Sequence, residues 1–380
     1  MSKKRICLVI ANPLTIHFFL LDQIKALANK YDLTVITNTG NPAFLSHLGV
    51  PVRVIPVAIE RHVSLWRDLK ALIRLALIFS NEKFDMVHSL SPKSGLLAMA
   101  AAWLVKVPVR IHTFQGEVWV TRRGLWRAFL RFLDKLVVRL ANHLLVVSYS
   151  EEKFLIEQGV VPPGKLQILA NGSICGVDLS RFKPDLSVRN KIRDSLGIPE
   201  ADTVVLFIGR LTVDKGLLDL ADAFSRIIAK RKNVHLLVVG PDEGGIRERM
   251  QSMLGIECPL LHFAAYTETP EHYIAASDIL CLPSYREGFG LVLIEAAATG
   301  IASIGSRIYG ITDAIVDNET GLLFTPGNID DLTEKLECLI GDPALRDVLG
   351  ENGRMRACRD FSKELVLSEL LKYYEQLFSY

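Results

Sequence analysis

The chain has 380 residues, a length typical of two domains, and its content of 49% hydrophobic and 8% aromatic residues is enough to bury substantial cores. The formal net charge of +2 hides an asymmetry, because residues 1–172 contain 22 Lys and Arg against 11 Asp and Glu, whereas the remainder contains 22 against 31. The longest apolar run, 95–105, is too short to span a bilayer, and the six cysteines show no CxxC or zinc-ligand spacing, which excludes a membrane-spanning helix and a zinc module.

The N-terminal sequence and the cysteines indicate the cellular compartment. Only six apolar residues, 6–11, follow the basic start of the chain, so no signal peptide is predicted. Cys7 and Cys281 lie in strand-like apolar runs, where buried and reduced thiols are expected, and this favours the cytosol. We expect a cytoplasmic protein that is soluble or attached to a membrane surface.

Strand-like runs alternate with helical patterns through the first half of the chain. The predicted strands are 6–11, 33–37, 52–57, 86–89, 109–113 and 144–148, and the predicted helices are 16–29, 65–80, 95–105 and 125–140. This alternation indicates a parallel sheet with helices on both faces.

Residues 171–202 interrupt the alternation with frequent Gly, Pro, Asp and Arg. It then resumes, with strands predicted at 204–208, 234–239, 260–263 and 279–282 and helices at 217–230, 246–254, 270–276 and 291–299. The pattern predicts an α/β protein of two doubly wound, Rossmann-like domains, 1–172 and 173–360, facing a central cleft. A last helix, about 361–380, is expected to pack back onto the first domain. Ligands of open parallel sheets bind outside the carboxyl ends of the strands, so the cleft is the expected site.

The most informative motif is Glu287-Gly-Phe-Gly-Leu-Val-Leu-Ile-Glu295, which lies between a predicted strand and a predicted helix. Gly288 and Gly290 allow a ligand to approach the main chain, and the helix start offers unpaired N–H groups that suit a phosphate. Phosphate would repel both carboxylates, so we expect them to accept hydrogen bonds from hydroxyls. A nucleotide diphosphate sugar has this combination of groups. The competing interpretation is that Glu287 is a solvated loop residue and that Glu295 only stabilises the helix dipole.

A second motif follows the strand predicted at 204–208. There Gly209-Arg210 and Lys215-Gly216 precede a helix, which places two cations at the carboxyl end of a strand. Two fixed cations can neutralise a departing diphosphate. A single Lys or Arg in a loop is more often a solvated surface charge, but the loop of Glu287 closes a neighbouring strand of the same sheet.

These residues resemble the large family of retaining glycosyltransferases with the GT-B fold, family 4. The matching features are Gly209-Arg210 with Lys215, and Glu287-x7-Glu295 inside Glu-Gly-Phe-Gly-Leu. The segment 171–184, Asn-Gly-Ser-Ile-Cys-Gly-Val-Asp-Leu-Ser-Arg-Phe-Lys-Pro, is similar to the family's interdomain tract with Ser-Ile-Cys inserted. Several bacterial surface-polysaccharide transferases carry a similar insertion. The resemblance covers nearly the whole chain and is stronger in its second half.

The resemblance implies that the first domain binds the acceptor and the second binds the donor. It implies that Arg210 and Lys215 bind the donor diphosphate, that Glu287 faces hydroxyls of the donor sugar, and that Glu295 holds the ribose hydroxyls. Backbone N–H groups near the phosphates would come from the stretch Gly288, Phe289, Gly290 and Leu291.

In the first domain, His112 within Arg-Ile-His-Thr-Phe-Gln-Gly resembles the family's active-site histidine, which faces the transferred sugar, although a lone histidine is more often structural. Many relatives carry a glycine-rich loop after the first strand. Here the corresponding loop, 11–17, contains no glycine and is stiffened by Pro13. The candidate acceptor contacts are Asn12, Thr15, His17, Lys93, Ser94 and Asn171.

No Asp-x-Asp occurs in the chain, and such a carboxylate pair is a common holder of the divalent cation beside a leaving nucleotide diphosphate. We therefore expect no metal requirement and no cofactor other than the donor substrate. The resemblance implies transfer with retention of the anomeric configuration. The expected donor is UDP-N-acetylhexosamine or a UDP-hexose, and the expected acceptor is a glycan hydroxyl, carried on a polyprenyl diphosphate, in the assembly of bacterial surface polysaccharide.

Two predicted helical stretches combine basic and apolar side chains. One contains Arg123, Arg127, Arg131, Lys135 and Arg139, and the other, 61–83, contains Arg67, Lys70 and Arg74 beside Trp66 and several leucines. Basic amphipathic helices bind anionic lipid, so we expect peripheral attachment to the inner face of the cell membrane. The alternative is an ordinary helix with one face in the core and one in water. Nucleic acid is disfavoured as a partner because no nucleic-acid-binding motif is present.

Three other functions compete with sugar transfer. A nucleotide-sugar epimerase of similar architecture would turn over UDP-sugar without an acceptor. An inactive nucleotide-sugar binding module is disfavoured by the intact Arg210, Lys215, Glu287 and Glu295. A dehydrogenase is disfavoured because no Gly-x-Gly-x-x-Gly follows the first strand.

Overall fold

The computed structural model describes residues 3–60 and 64–379. The chain forms two compact units: unit 1 is Met1–Cys175 together with Val366–Tyr380, and unit 2 is Gly176–Leu365. These limits lie a few residues after the domain boundaries expected from the sequence, 172/173 and 360/361. Tyr380, the last residue of the predicted final helix, lies outside the described residues.

Unit 1 is built on a sheet of parallel strands. Its strands are β1 (Arg5–Ile10), β2 (Asp32–Thr37), β3 (Arg53–Pro56), β4 (Met86–Leu90), β5 (Val109–Phe114), β6 (His143–Val146) and β7 (Leu166–Gln167). Their spatial order in the described residues is β3-β2-β1-β4-β5-β6-β7, and each pairs in parallel with its neighbours. Nearly every residue of β1 and β4 is buried, as expected for strands covered on both faces.

The helices of unit 1 connect these strands. They are α1 (Pro13–Thr15), a π-helical turn (Ile16–Leu20), α2 (Leu21–Lys30), α3 (Phe44–His47), α4 (Leu65–Glu82), α5 (Pro92–Leu104), α6 (Gly124–Leu140) and α7 (Tyr149–Glu157). Helix α7, which the sequence analysis omitted, begins where the Ser148 hydroxyl accepts a hydrogen bond from the Glu151 N–H.

The segment 11–17, expected to be a loop, is helical from Pro13 onward. The Asn12 side chain accepts a hydrogen bond from the Leu14 N–H at 3.0 Å, and proline occupies the first turn, where its missing N–H costs nothing. The expectation of a loop at these residues was therefore wrong, because a good N-cap directly follows the strand.

The C-terminal helix α16 (Lys363–Phe378) contributes to the core of unit 1. Its Leu370, Tyr373 and Tyr374 belong to the same buried cluster as residues of β1 and β2. The Tyr374 hydroxyl is 2.5 Å from Nδ1 of His88, a buried histidine of β4. This contact joins residues nearly 300 positions apart in the chain.

Unit 2 repeats the architecture. Its strands are β8 (Thr203–Ile208), β9 (Val234–Val239), β10 (Leu261–Ala264), β11 (Ile279–Leu282), β12 (Ala302–Ser306) and β13 (Leu322–Phe324). They form a parallel sheet in the order β10-β9-β8-β11-β12-β13. The helices are α8 (Leu186–Leu196), a 3-10 turn (Val213–Lys215), α9 (Leu217–Lys230), α10 (Ile246–Leu254), α11 (Pro270–Ala275), α12 (Leu291–Ala298), α13 (Ile311–Ala314), α14 (Ile329–Gly341) and α15 (Pro343–Asp360).

Helix α8 lies in the stretch where the sequence alternation pauses. Asp185 caps it by accepting from the Ser187 and Val188 N–H groups at 3.0 Å, and Gly197 ends it with a φ of +66°. The helix is attached by a buried Arg193, which is 3.3 Å from Asp278 and donates to the Ala276 carbonyl. Ion pairing through Arg193 therefore helps to hold this helix, together with the half-buried Val188, Ile192 and Leu196.

Candidate active site

The two motifs of the second half lie on adjacent loops of unit 2. Strands β8 and β11 pair in parallel, with Val205 opposite Ile279 and Leu206 opposite Leu280. The loops that leave their carboxyl ends therefore start side by side. The Tyr285 N–H donates to the Asp214 carbonyl at 2.9 Å and ties one loop to the other.

Lys215 and Glu287 meet between these loops. The Lys215 ammonium donates a hydrogen bond to Oε1 of Glu287, and the Ser284 hydroxyl donates to the same oxygen at 2.8 Å. Both charged side chains are largely withdrawn from solvent. A second ion pair, Arg286 to Asp214 at 3.1 Å, links the same loops. Lys215 and Arg286, the two cations between these loops, are thus each paired with a carboxylate.

Close backbone approach sets this arrangement. Gly216 has a φ of +69°, and a Cβ placed on it would lie 2.0 Å from the Pro283 carbonyl oxygen. Only glycine allows the loop that carries Lys215 to come this near to the end of β11. Pro283, which directly follows β11, and Gly216, which directly follows Lys215, therefore touch without a side chain between them.

Arg210 occupies the same edge of the sheet but pairs differently. Its Nη1 lies 2.8 Å from Oε2 of Glu243, in the loop that follows β9. Strand β9 pairs with β8 on the side away from β11. The two cations predicted to bind a diphosphate thus follow the same strand, and each is held by an acidic residue of a different flanking loop.

The Glu-Gly-Phe-Gly loop leads directly into α12. Phe289 is buried edge-on against Phe361 at 5.2 Å, which anchors the loop, and Gly290 takes a φ of +71° as the residue before the helix. Within the part of the chain that the structure describes, no side chain caps this helix start. The Leu293 N–H donates to the Gly290 carbonyl at 2.9 Å, and the N–H groups of Leu291 and Val292 precede it at the helix start, where an anion could bind as the phosphate interpretation requires.

Glu295 lies one turn into α12. Burial raises the pKa of its carboxyl to about 7; the Arg181 guanidinium opposes this rise and the Glu271 carboxylate adds to it. Arg181 is 2.8 Å from Glu271, so the same guanidinium forms an ion pair with Glu271 and acts electrostatically on Glu295. Its surroundings thus favour the neutral form of the Glu295 carboxyl more than water does.

The candidate histidine of unit 1 is enclosed by protein. His112 is 2% exposed; Nδ1 lies 2.9 Å from the Ser89 hydroxyl, and the ring packs against Gly95 and Phe114. Burial lowers the pKa of its imidazole to about 3, so the ring is neutral. It lines a small cavity with Gln115. A role of His112 at the transferred sugar stays a prediction.

The predicted acceptor contacts of unit 1 differ in their exposure to solvent. Ser94 is fully buried, and its hydroxyl donates to the Leu90 carbonyl at 3.0 Å; its contact with an acceptor stays a prediction. Lys93 forms an ion pair with Asp68 at 2.6 Å. Asn12 and Asn171 are exposed, and Thr15 and His17 are half-buried.

Unit 1 also has an apolar surface on α4 and α6, both of which pack against α5. Leu65 and Trp66 at the start of α4 are 86% and 75% exposed, and Leu125 at the start of α6 is 90% exposed. The other exposed apolar residues of these helices are Leu69, Ile73, Leu77, Trp126, Phe129 and Phe132.

The basic residues around this surface are not all available to a ligand. Arg67 pairs with Glu60, and Arg127 donates to Gln158 and lies over the Trp119 ring. Arg61 lies outside the described residues. Across 3–60 and 64–379, no helix has the length and apolar content needed to cross a bilayer.

Sequence reasoning missed several residues of the site in unit 2. Glu243, Glu271 and Ser284 were not singled out, although each lies in or next to a loop at the end of a strand. Glu243 follows Gly240-Pro241-Asp242, a turn-rich stretch directly after β9, and that position was the available signal. What the sequence did not reveal is that β9 is the neighbour of β8.

Comparison with known proteins agrees with this architecture. The family model described as "Glycosyl transferase 4-like domain" matches residues 16–172, and the model "Glycosyl transferases group 1" matches 188–356. The capsular polysaccharide biosynthesis glycosyltransferase CapM of Staphylococcus aureus is 32% identical, with 93% of this chain and 92% of CapM covered. An Escherichia coli enzyme named UDP-Gal:alpha-D-GlcNAc-diphosphoundecaprenol alpha-1,3-galactosyltransferase is 28% identical over 90% of this chain and 88% of its own.

The fold has close structural counterparts. Sucrose-phosphate synthase from Thermosynechococcus elongatus superposes with a TM-score of 0.81 at 23% identity, covering 99% of this chain and 100% of that one. At this identity the likeness concerns the fold, which is the two-domain GT-B fold. The chain therefore belongs to the GT-B glycosyltransferases of family 4 and is a glycosyltransferase, as the two parallel sheets, the two family models and the capsular relative together show.

Proposed function

We propose that this glycosyltransferase takes a sugar from a UDP-sugar, UDP-N-acetylhexosamine or a UDP-hexose, and retains its anomeric configuration. The observation that carries the proposal is the meeting of Lys215 and Glu287 beside the uncapped start of α12. A cation and main-chain N–H groups suit a diphosphate, and a carboxylate suits sugar hydroxyls. The donor printed in the name of the E. coli relative, UDP-Gal, supports this class of donor.

The chemistry proposed for the site needs charge stabilisation above all. The bond between the anomeric carbon and the diphosphate oxygen breaks, the acceptor oxygen bonds to that carbon on the same face, and the acceptor proton passes to the leaving phosphate. Negative charge grows on the diphosphate as the bond breaks, and Arg210, Lys215 and the α12 N–H groups oppose it in place of a divalent cation. Glu295 would accept hydrogen bonds from the ribose hydroxyls.

We further propose a polyprenyl-diphosphate-linked glycan acceptor in the assembly of a bacterial surface polysaccharide. The name of the E. coli relative specifies a diphosphoundecaprenol acceptor, and CapM is named for capsule biosynthesis. An acceptor of this kind is confined to a membrane, which fits the apolar surface on unit 1.

A transfer assay tests this function. Purified protein is incubated with each labelled UDP-sugar and GDP-sugar and with polyprenyl-linked lipid extract, with and without EDTA. We expect label to move from one UDP-sugar into the lipid fraction at the same rate in EDTA. Product that requires no acceptor would instead indicate epimerase chemistry, and activity abolished by EDTA and restored by manganese would contradict the metal-independent mechanism.

The surface of α4 and α6 is proposed to bind the anionic inner leaflet of the cell membrane. Each helix connects parallel strands, so both begin at the carboxyl edge of the sheet, where they present Trp66 and Trp126. Tryptophan favours the interface between water and lipid, and each basic residue close to an anionic surface adds about 1 kcal/mol.

Flotation with vesicles of phosphatidylcholine and phosphatidylglycerol tests the surface. We expect the wild type to float and the double variant Trp66→Ala/Trp126→Ala to remain largely at the bottom, because the apolar anchors are removed. Trp103→Ala is the matched control, since Trp103 is exposed at the opposite end of α5 and its loss should not change flotation. A wild type that stays at the bottom, or a double variant that floats equally well, would contradict the proposal.

A further inference from the structure

We propose that Glu243 is an internal counter-ion that competes with the nucleotide diphosphate for Arg210, and so weakens UDP binding and promotes its release. The inference rests on the proposed function, in which Arg210 contacts the diphosphate. It adds a residue with no proposed contact to the substrate, one that acts only through the arginine that it holds.

The main chain holds Glu243 in place. Its N–H donates to the Leu211 carbonyl at 3.2 Å, and the Leu211 N–H donates to the Pro241 carbonyl at 2.8 Å. These bonds join the loop after β9 to the loop that carries Arg210. Backbone pairing therefore fixes the main chain of Glu243 beside the loop of Arg210, from where its carboxylate reaches the guanidinium at 2.8 Å.

Asp242, the residue before Glu243, also holds the loop after β9 in place. The Asp242 carboxylate accepts from the N–H groups of Gly244, Ile246 and Arg247 at 3.0 Å, which caps α10. At Gly240, an added Cβ would lie 1.9 Å from the Gly209 carbonyl oxygen, so the two loops are in direct backbone contact. A rigid loop returns the carboxylate to Arg210 whenever the diphosphate leaves.

The ion pair has a strength suited to competition. Its side chains are 40% and 38% exposed, and pairs of this kind change an equilibrium by about two- to fivefold. A diphosphate carries more charge than one carboxylate and displaces it. After transfer, once the proton taken up from the acceptor has passed to solvent, the free diphosphate bears a further negative charge, so the cations that favour bond breaking also retain the product. A competing carboxylate at Arg210 relieves that retention.

Glu287 is not expected to act on Lys215 as a competing counter-ion of this kind. Glu287 is proposed to bind the donor sugar, so its contact with Lys215 rearranges within the site when substrate arrives. Glu243 can exchange with the diphosphate at Arg210 without giving up a substrate contact of its own. The two cations of the site thus have counter-ions of different function.

The test measures UDP binding by calorimetry for the wild type, Glu243→Gln, Arg210→Ala and the double variant. We expect Glu243→Gln to bind UDP about two- to fivefold more tightly and to show a correspondingly lower inhibition constant for UDP as product. In the Arg210→Ala background, Glu243→Gln should not change UDP binding, because the guanidinium for which the carboxylate competes is absent. Glu248→Gln removes the same charge from an exposed position on α10 and should leave UDP binding unchanged.

Three results would overturn the inference alone: unchanged or weaker UDP binding by Glu243→Gln, an equal gain in Glu248→Gln, or a gain that persists without Arg210. In each of these cases Arg210→Ala still weakens UDP binding, so the role of Arg210 survives. If Arg210→Ala binds UDP as the wild type does, the assignment of the arginine to the diphosphate fails and the inference falls with it.

Discussion

Replacement of Lys215 by alanine is expected to lower turnover by about a hundredfold or more, the usual cost of removing one preorganised group that stabilises a transition-state charge. The Lys215 ammonium is largely enclosed between two loops, so water cannot easily replace it. Its loss also leaves the Glu287 carboxylate without its cation at the proposed diphosphate site. The expected change is in kcat rather than in the acceptor KM, because the charge on the diphosphate grows during bond breaking.

The measurement is the initial rate of transfer at saturating donor, with circular dichroism to verify the fold. Lys232→Ala is the control, because Lys232 is an exposed lysine of the same unit whose Nζ donates to the Ile228 carbonyl at 2.8 Å. Glu287→Ala is expected to match Lys215→Ala in size, and the two losses should be less than additive, since the two side chains are in direct contact. Near-normal turnover in either single variant would discredit the roles assigned here.

Replacement of Gly216 by alanine is expected to destabilise unit 2 and to lower turnover by about ten- to a hundredfold. Left-handed backbone costs a residue with a Cβ about 1–2 kcal/mol, and in addition the new atom would lie 2.0 Å from the Pro283 carbonyl oxygen. Relief requires the two loops to separate, which moves Lys215 from Glu287. Displacements on the order of 1 Å in a site can cost about a hundredfold in rate.

The matched control separates backbone strain from displacement. Gly197 has nearly the same φ, +66°, but an added Cβ meets nothing within 4 Å. Gly197→Ala should therefore lose only the conformational penalty, seen as a slightly lower melting temperature, and keep full turnover. Equal turnover in the two variants, or full activity in Gly216→Ala, would contradict the claim that this close approach positions the lysine.

Much of the architecture follows from local sequence. The strands Val234–Val239 and Ile279–Leu282 and the helix Leu217–Lys230 begin and end where periodicity and turn residues place them. The position of Glu287 between a strand and a helix also follows, because proline and glycine punctuate that stretch. Local patterns are reliable here since buried parallel strands and amphipathic helices differ clearly in period.

What the sequence by itself determined was therefore the alternation of strands and helices, the two Rossmann-like halves and the motif residues at the strand ends. Only the tertiary structure decided which charged side chains face each other, namely Glu243 and Arg210, and Arg181 with Glu271 and Glu295. It also decided that Ser94 and His112 are buried. The physical reason is that these pairings depend on the order of strands in a sheet. That order is set by long-range packing between segments distant in the chain, which no local period encodes.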